Sequence, residues 1–135
     1  MSSKRKKITA LCILAITLLA VGLVVFNLGI SATVSDTSVK LAGFWYNEII
    51  EYSDIDEINI YTGFEFGKKQ SGIGVPGTYR GIYVNDLLGE YECSANKDVS
   101  SAIVIKMTNG KYFVFNCNTR EQTSQVYNFI KSRVN

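Results

Sequence analysis

The sequence predicts a mainly β domain, a bent antiparallel sheet or partly open barrel of seven strands, capped by one C-terminal α-helix and preceded by a transmembrane helix. Three observations lead to this fold class. Residues 8–30 carry no charge, residues 39–117 contain short runs typical of strands, and the apolar period becomes helical after Cys117. At 135 residues with a single proline, the chain accommodates one such domain and one extra segment.

The N-terminal segment has the length and composition of a membrane-spanning helix. Its 23 uncharged residues, 8–30, extend ~34 Å as a helix, enough to cross the hydrocarbon core of a bilayer. Basic residues fill positions 4–7 just before it, which predicts a single-pass protein of the cell membrane with a cytoplasmic N-terminus and an extracytoplasmic domain. A cleaved signal peptide fits less well, because Ile30 stands two places before Ala32, where such a site needs a small residue. The predicted divisions are a basic cytoplasmic tail (1–7), the transmembrane helix (8–30), a linker (31–37) and the domain (38–135).

The charge balance changes when this segment is set aside. The whole chain has a formal net charge of +2, but all 12 acidic residues and only ten of the 14 basic residues follow residue 30, so the remainder has a net charge of −2. A nucleic-acid-binding surface needs clustered basic residues on the folded domain, and the sequence offers only the pair Lys68 and Lys69. We therefore predict that the protein does not bind nucleic acid. The lipid bilayer, contacted through residues 8–30, is one predicted partner.

Alternation and turn signals divide the domain into strands and one helix. The predicted strands span residues 39–42, 47–52, 57–62, 79–84, 89–95, 102–108 and 111–117. For the helix, Asn118 is the predicted N-cap with Glu121 three residues later. One face of this helix is apolar and consists of Val126, Tyr127, Ile130 and Val134.

The Asn109-Gly110 dipeptide predicts a tight hairpin between the last two strands, because both central residues of a type I′ turn need positive φ. The register of such a turn places three pairs opposite each other: Met107 with Tyr112, Ile105 with Val114, and Val104 with Phe115.

The order of elements resembles the pleckstrin-homology (PH) superfold, and more specifically the small bacterial PH-like proteins that carry an N-terminal membrane helix. The segments that carry the resemblance are Tyr52-Ser53-Asp54-Ile55 with Glu57-Ile58, Gly77-Thr78-Tyr79-Arg80-Gly81, Gly89-Glu90-Tyr91, and Gly110-Lys111-Tyr112-Phe113-Val114-Phe115-Asn116. The resemblance covers about residues 38–134 and implies seven antiparallel strands, a capping helix and a membrane setting. It assigns no ligand and no binding residues.

The absence of histidine excludes every Ser/His or Cys/His nucleophile. A membrane-tethered enzyme is the alternative that remains, and it would depend on a cysteine or on the carboxylates Glu48, Asp54 and Asp56. The acidic group lacks the spacing of a calcium loop, so we predict no metal site, no cofactor and no catalytic residues. The Gly72–Gly77 segment matches G-x-G-x-x-G, but a strand rather than a helix is predicted after it, so a dinucleotide site is not expected.

Cys93 and Cys117 are the two cysteines of the domain. If the strand at 89–95 pairs with the strand at 102–108, one strand separates the two thiols by ~9.5 Å, which is too far for a bridge. We therefore predict two free thiols. A Cys93–Cys117 disulfide stays an alternative if the strands pair in another register.

The connection at residues 63–78 is long and rich in glycine, and such connections are usually functional or disordered. It contains Phe64 and Phe66 next to Lys68 and Lys69, and with Arg80 these are the predicted ligand-binding or membrane-binding residues. Two interpretations of the phenylalanines stay open, insertion into a ligand or headgroup region and packing back on the barrel. The same two alternatives, interfacial anchor and core, apply to the aromatic run at residues 44–46.

The function that these features favour is a non-enzymatic binding or scaffolding module, which meets a protein at a strand edge or lipid headgroups through the 63–78 connection. Besides the tethered enzyme, a structural subunit of an envelope complex is the third candidate.

Overall fold

The computed structural model of the chain describes residues 3–26, 30–43, 46–72 and 74–134. Its elements are α1 (Ser3–Phe26), β1 (Ser31–Val34), β2 (Ser38–Gly43), β3 (Tyr46–Glu51), a 3-10 turn (Tyr52–Asp54), β4 (Ile55–Thr62), β5 (Lys68–Ser71), β6 (Thr78–Asn85), β7 (Gly89–Asn96), β8 (Ser101–Met107), β9 (Tyr112–Phe115) and α2 (Arg120–Lys131). The prediction of a mainly β fold with a C-terminal helix is thus confirmed.

The N-terminal helix differs from the prediction. Helix α1 begins at Ser3, so the basic residues 4–7 belong to the helix. Within the described part of the chain, no helix has both the length and the apolar character needed to cross a membrane. This finding contradicts the predicted transmembrane span at 8–30, the single-pass cell-membrane location with its cytoplasmic N-terminus, and the bilayer as a partner through that span. Residues 27–29 of the span lie outside the described residues.

The strands form two sheets, one of three strands in the order β1-β2-β3 and one of six in the order β4-β8-β9-β7-β6-β5. All seven predicted strands are present with shifted ends, and the described residues contain two further strands, β1 and β5, that were not predicted. Strand β1 occupies the predicted linker, where it pairs with β2. Strand β5 lies inside the connection at 63–78, where it pairs with β6.

The neighbours of β7 also differ from the prediction. The estimate of the cysteine separation assumed that the strand at 89–95 pairs with the strand at 102–108, but β9 lies between them and pairs with both. The β7–β9 pairing is parallel, with Cys93 opposite Val114, so the sheet is not wholly antiparallel. Periodicity defines which face of a strand is buried but does not define which strands are neighbours, and this error followed from that limit.

The β8–β9 hairpin is present in a register shifted by one residue. Val104 lies opposite Val114 and Ile105 opposite Phe113. Met107 N donates to Lys111 O (2.8 Å) and Gly110 N to Met107 O (2.9 Å), so three residues form the turn, with Gly110 at φ 87°. A three-residue turn ending in a left-handed glycine is the second common hairpin solution, and it exchanges the two faces of one strand relative to the predicted type I′ turn.

The six-stranded sheet has an apolar cluster on each of its faces. One face packs against the three-stranded sheet and α2 in a core that includes Ile103, Ile105, Phe113 and Phe115. The opposite face holds a second cluster, in which Ala102, Val104 and Val114 meet three residues of β6 and β7 (Tyr83, Tyr91 and Cys93). Because side chains alternate along a strand, the register of β8 and β9 determines which residues enter which core.

Helix α2 begins one residue later than predicted. The N-cap is Thr119, whose Oγ1 accepts from Gln122 N (3.1 Å), instead of Asn118. Thr123 is buried and its Oγ1 accepts from Cys117 N (3.1 Å). Ile130 is fully buried in the first core, and the predicted apolar face, Val126, Tyr127, Ile130 and Val134, packs there.

Two buried asparagines connect distant parts of the backbone. The Asn116 side chain is completely buried; its Oδ1 accepts from Asn96 N (2.7 Å). Its Nδ2 lies within hydrogen-bond distance of the carbonyl oxygens of Asn96 (3.0 Å), Val99 (3.3 Å) and Ser101 (3.1 Å). The Asn96 side chain in turn bonds both N and O of Ile30, at 2.9 and 3.0 Å. The pair therefore holds the β7–β8 connection and the start of the domain together.

Candidate functional site

Two adjoining depressions lie between residues 61–70 and the end of β6 with the turn that follows it. The first, which we call the Leu87 pocket, has a volume of about 250 Å³. The second, which we call the Lys68 groove, has a volume of about 630 Å³. The Leu87 pocket is lined by Tyr61, Thr62, Gly63, Phe64, Glu65, Asn85, Asp86 and Leu87. The Lys68 groove is lined by Glu65, Gly67, Lys68, Lys69, Gln70, Val84, Asn85 and Asp86.

Asn85 stands between the two depressions and lines both. Its Nδ2 donates to the carbonyl oxygen of Glu65 (2.8 Å), and its Oδ1 accepts from Leu88 N (2.8 Å). One side chain thus ties the 63–67 segment to the β6–β7 turn. An Asx-type bond of this kind fixes the turn, so both walls of the site have a defined position.

Two close backbone approaches hold β5 against β6. A Cβ on Gly67, at φ 73°, would stand 2.0 Å from Val84 O. A Cβ on Gly81, at φ 125°, would stand 2.0 Å from Ser71 O. Only glycine allows the chain to come this near with these φ values. Gly67, just before β5, and Gly81, on β6 next to the last residue of β5, therefore allow the two strands to lie this close.

Phe64 and Phe66 face the sheet, as in the second of the two interpretations above. Phe66 stacks on Tyr79 with a centroid distance of 4.1 Å, and Phe64 meets Tyr91 edge to face at 5.9 Å. The hydroxyl of Tyr91 donates to the carbonyl oxygen of Phe66. Both phenylalanines are half-buried and pack against the second core. Phe64 also lines the Leu87 pocket.

The three predicted basic residues do not form one cluster. Lys68 and Lys69 are exposed and line the Lys68 groove. Arg80 is 8% exposed and lies opposite Ser94, four positions from Val84 along β6, so it does not join them. The groove also contains two acidic residues, Glu65 and Asp86, and its formal charges therefore balance.

The predicted carboxylates lie elsewhere. Asp56 Oδ2 lies 4.0 Å from Lys106 Nζ. The backbone oxygen of Asp54 accepts a hydrogen bond from Thr108 N. Desolvation, and then the charge of Glu48, raise the pKa of Glu92. None of these residues lines the Leu87 pocket or the Lys68 groove. Among the residues that the structure describes, no three His, Cys, Asp or Glu side chains are placed to hold a metal ion.

Of two further sequence features, the structure describes the first and leaves most of the second outside the described residues. The G-x-G-x-x-G match at 72–77 leads into strand β6, without a helix N-terminus that would receive a pyrophosphate. The aromatic run at 44–46 is mostly outside the described residues, since the description stops at Gly43 and resumes with the backbone of Tyr46.

The two cysteines of the domain are buried free thiols. Burial raises the pKa of the Cys93 thiol, and burial raises the pKa of Cys117 from 9.0 to about 11. The geometric reason given above for their separation was wrong, because Cys93 lies opposite Val114 of β9 and not opposite Ala102. A thiol with a raised pKa stays protonated at neutral pH and is a poor nucleophile. The stabilisation from burying the neutral Cys117 thiol is complete below pH 9.0 and is lost as the pH rises through about 11.

We expect the buried thiols to be almost inert in the folded protein. In a Cys12→Ser variant, which removes the exposed thiol of α1, Ellman's reagent at pH 8 should modify Cys93 and Cys117 at least about a hundredfold more slowly than in urea. Rapid modification of either cysteine under native conditions would contradict this placement and would reopen a thiol-based activity.

Several residues of the site were not found by sequence reasoning. Glu65, Asn85, Asp86 and Leu87 are among the residues that line the two depressions, and none of the four was predicted as a site residue. The contact between Asn85 and Glu65 joins residues 20 positions apart, so no local pattern signals it.

Comparison with known proteins identifies the family to which the chain belongs. The structure defines a small domain of two packed β-sheets closed by a C-terminal helix, and residues 30–127 match the family described as bacterial PH domain. The match covers most of the chain, and the chain belongs to this family. The matched region begins at residue 30 and therefore includes β1. No curated protein and no solved structure matches the chain.

Proposed function

We propose that this protein is a non-enzymatic binding module that captures an extended acidic segment of a partner protein along the free edge of β5. The observation that carries the proposal is an exposed terminal strand beside the Lys68 groove. The PH-domain family supports a binding module in general, because its members are generally non-catalytic and bind lipid headgroups or proteins. The structure supports the choice between those partners.

The backbone of β5 offers hydrogen-bonding groups to a partner. Strand β5 is the last strand of its sheet, all four of its residues are exposed, and its pairing within the described ranges is with β6. A terminal strand presents unpaired N–H and C=O groups along its outer edge. An extended peptide satisfies such groups by adding a strand to the sheet, and side-chain pockets nearby then provide specificity.

The charges favour an acidic protein segment over a lipid surface. Lys68 and Lys69 lie on the strand that would meet the partner, so isolated carboxylates of a peptide have cations beside them. The groove as a whole is neutral because of Glu65 and Asp86, and the chain after residue 30 carries a net charge of −2. A broad anionic surface would meet these acidic groups as well, whereas a peptide places its charge at chosen positions.

The buried thiols and the dispersed carboxylates give the enzyme alternative little support. A structural subunit would also use binding surfaces, and the β5 edge is such a surface.

The proposal is tested by selecting random dodecapeptides, displayed on phage, on the full chain. We expect enrichment of acidic peptides whose affinity falls at least about tenfold for the double variant Lys68→Glu/Lys69→Glu. The matched control is Lys40→Glu/Lys131→Glu, which makes the same change of net charge at two exposed lysines away from the groove. Its affinity should stay within about twofold of the original.

Two results would contradict the proposal. The first is an equal loss of affinity in both charge-reversal variants, which would indicate long-range attraction without a site. The second is an absence of peptide enrichment together with binding to phosphatidylglycerol vesicles that Lys68→Glu/Lys69→Glu abolishes, which would assign the groove to lipid.

A further inference from the structure

We infer that the captured segment carries one bulky apolar side chain, which inserts into the Leu87 pocket, within about four residues of an acidic side chain that pairs with Lys68 or Lys69. The inference rests on the proposed capture at the β5 edge and specifies the sequence that the edge would select. It adds a second point of contact, in a different part of the site.

The Leu87 pocket has the lining and size for one side chain. Tyr61, Phe64 and Leu87 supply apolar walls, and the ring centroids of Tyr61 and Phe64 are 6.0 Å apart. Its volume of about 250 Å³ is below the ~300–1,000 Å³ typical of pockets for whole small-molecule ligands. A single leucine or aromatic side chain is an occupant of suitable size.

Leu87 is 61% exposed at the tip of the β6–β7 turn. Tyr61, on the opposite wall, is 36% exposed. An exposed leucine alone needs no explanation, but here it adjoins an aromatic wall and an open strand edge. A partner side chain placed between these two residues would remove apolar surface of both from water, as the anchor residues of interfaces do.

The distance between the two contact points defines the spacing in the partner. Lys68 lies opposite Val84, and Leu87 is three positions further along the chain, which is at most ~10 Å of extended backbone. An extended partner strand covers that distance with about three residues. The apolar and acidic side chains of the partner are therefore close neighbours in its sequence.

Asn85 keeps the two contact points in register. It lines both depressions and holds the 63–67 segment to the turn through Glu65 O and Leu88 N. The apolar wall at Phe64 and the basic strand β5 therefore have a fixed spacing, which a rigid extended peptide can match without reorganisation.

The inference is tested with the peptides selected on the full chain. They should share a bulky apolar residue within about four positions of an aspartate or glutamate. Leu87→Ser should weaken the best peptide about tenfold, and replacing the apolar residue of the peptide by alanine should weaken it by a similar factor on the original protein. The alanine-substituted peptide should bind the Leu87→Ser variant almost as well as it binds the original protein, because both substitutions remove the same contact. Ile49→Ser is the matched control, since Ile49 is 57% exposed on β3 and lines neither depression.

The possible failures are distinguishable. Acidic peptides that depend on Lys68 and Lys69, but show no apolar preference and bind Leu87→Ser unchanged, would overturn this inference and leave the edge proposal intact. Additive losses in the double substitution would also overturn it, because the apolar residue would then bind elsewhere. An absence of any enriched peptide that depends on Lys68 and Lys69 would remove the proposed function and this inference together.

Discussion

Replacing Asn116 with alanine is expected to lower the free energy of unfolding by roughly 3–5 kcal/mol, a large part of the total stability of a domain of this size. The side chain is fully buried and contacts four backbone groups. Truncation leaves Asn96 N without its acceptor and deprives the carbonyl oxygens of Val99 and Ser101 of a donor. Each buried group left unsatisfied costs about 1–3 kcal/mol.

The effect extends beyond the β7–β8 connection. Asn96 is positioned by Asn116 and itself bonds both backbone groups of Ile30, a residue of the first core at the entry to β1. Loosening Asn96 therefore weakens the attachment of the three-stranded sheet as well.

Urea denaturation followed by circular dichroism measures this loss. Asn118→Ala is the control, because Asn118 is exposed two residues away, and its effect should stay within about 0.5 kcal/mol. A loss below about 1 kcal/mol for Asn116→Ala would show that the bonds around Asn116 are not what holds this connection.

Replacing Gly81 with alanine is expected to detach β5 and to weaken peptide capture strongly. The new Cβ would stand 2.0 Å from Ser71 O and 2.9 Å from the Cα of Gly72, at a φ of 125° that L side chains rarely adopt. Keeping β5 in place would cost roughly 2–4 kcal/mol in strain and overlap. A strand of four exposed residues has little packing to offset this cost. The expected outcome is therefore an otherwise folded domain in which β6 keeps its long pairing with β7, the amides of β5 exchange freely and affinity for selected peptides falls more than about tenfold.

Gly74→Ala is the matched control for this experiment. A Cβ on Gly74 would have no neighbour within 4 Å, and Gly74 is not among the glycines with positive φ. The control should bind peptides as the original chain does. If the Gly81→Ala variant also bound the selected peptides with full affinity, and the amides of β5 stayed protected from exchange, peptide binding would not require the close approach of β5 to β6.

The sequence predicted the fold where the signal is local and failed where it depends on neighbours in space. Seven strands and α2 follow from apolar periodicity. Strand β1, Ser-Ala-Thr-Val, was interpreted as a linker because its residues are small, and β5, Lys-Lys-Gln-Ser, has no apolar residue at all. An edge strand that buries nothing leaves no periodic pattern to detect. The parallel pairing of β7 with β9 and the three-residue turn at Gly110 depend on tertiary packing that periodicity does not encode.

The structure shows where the predicted site residues lie, and their role in binding stays a prediction. Lys68 and Lys69 were expected in a functional connection, and they line a groove there. Phe64 contacts Tyr91 and also lines the Leu87 pocket, whereas Phe66 stacks on Tyr79. Arg80 is buried. A phenylalanine in a glycine-rich segment has the same sequence signal whether it packs inward or faces a ligand, so only the structure distinguishes the two.

Hydrogen exchange on the complex with the best selected peptide tests capture at the β5 edge most directly. If the peptide adds a strand to the sheet, the amides of residues 68–71 should gain protection, together with those of the β6–β7 turn around Leu87. Exchange in α2 and in the three-stranded sheet should not change. Protection confined to another surface, such as the depression between β1 and α2 lined by Ala32, Gln122 and Gln125, with residues 68–71 unaffected, would contradict the proposed function.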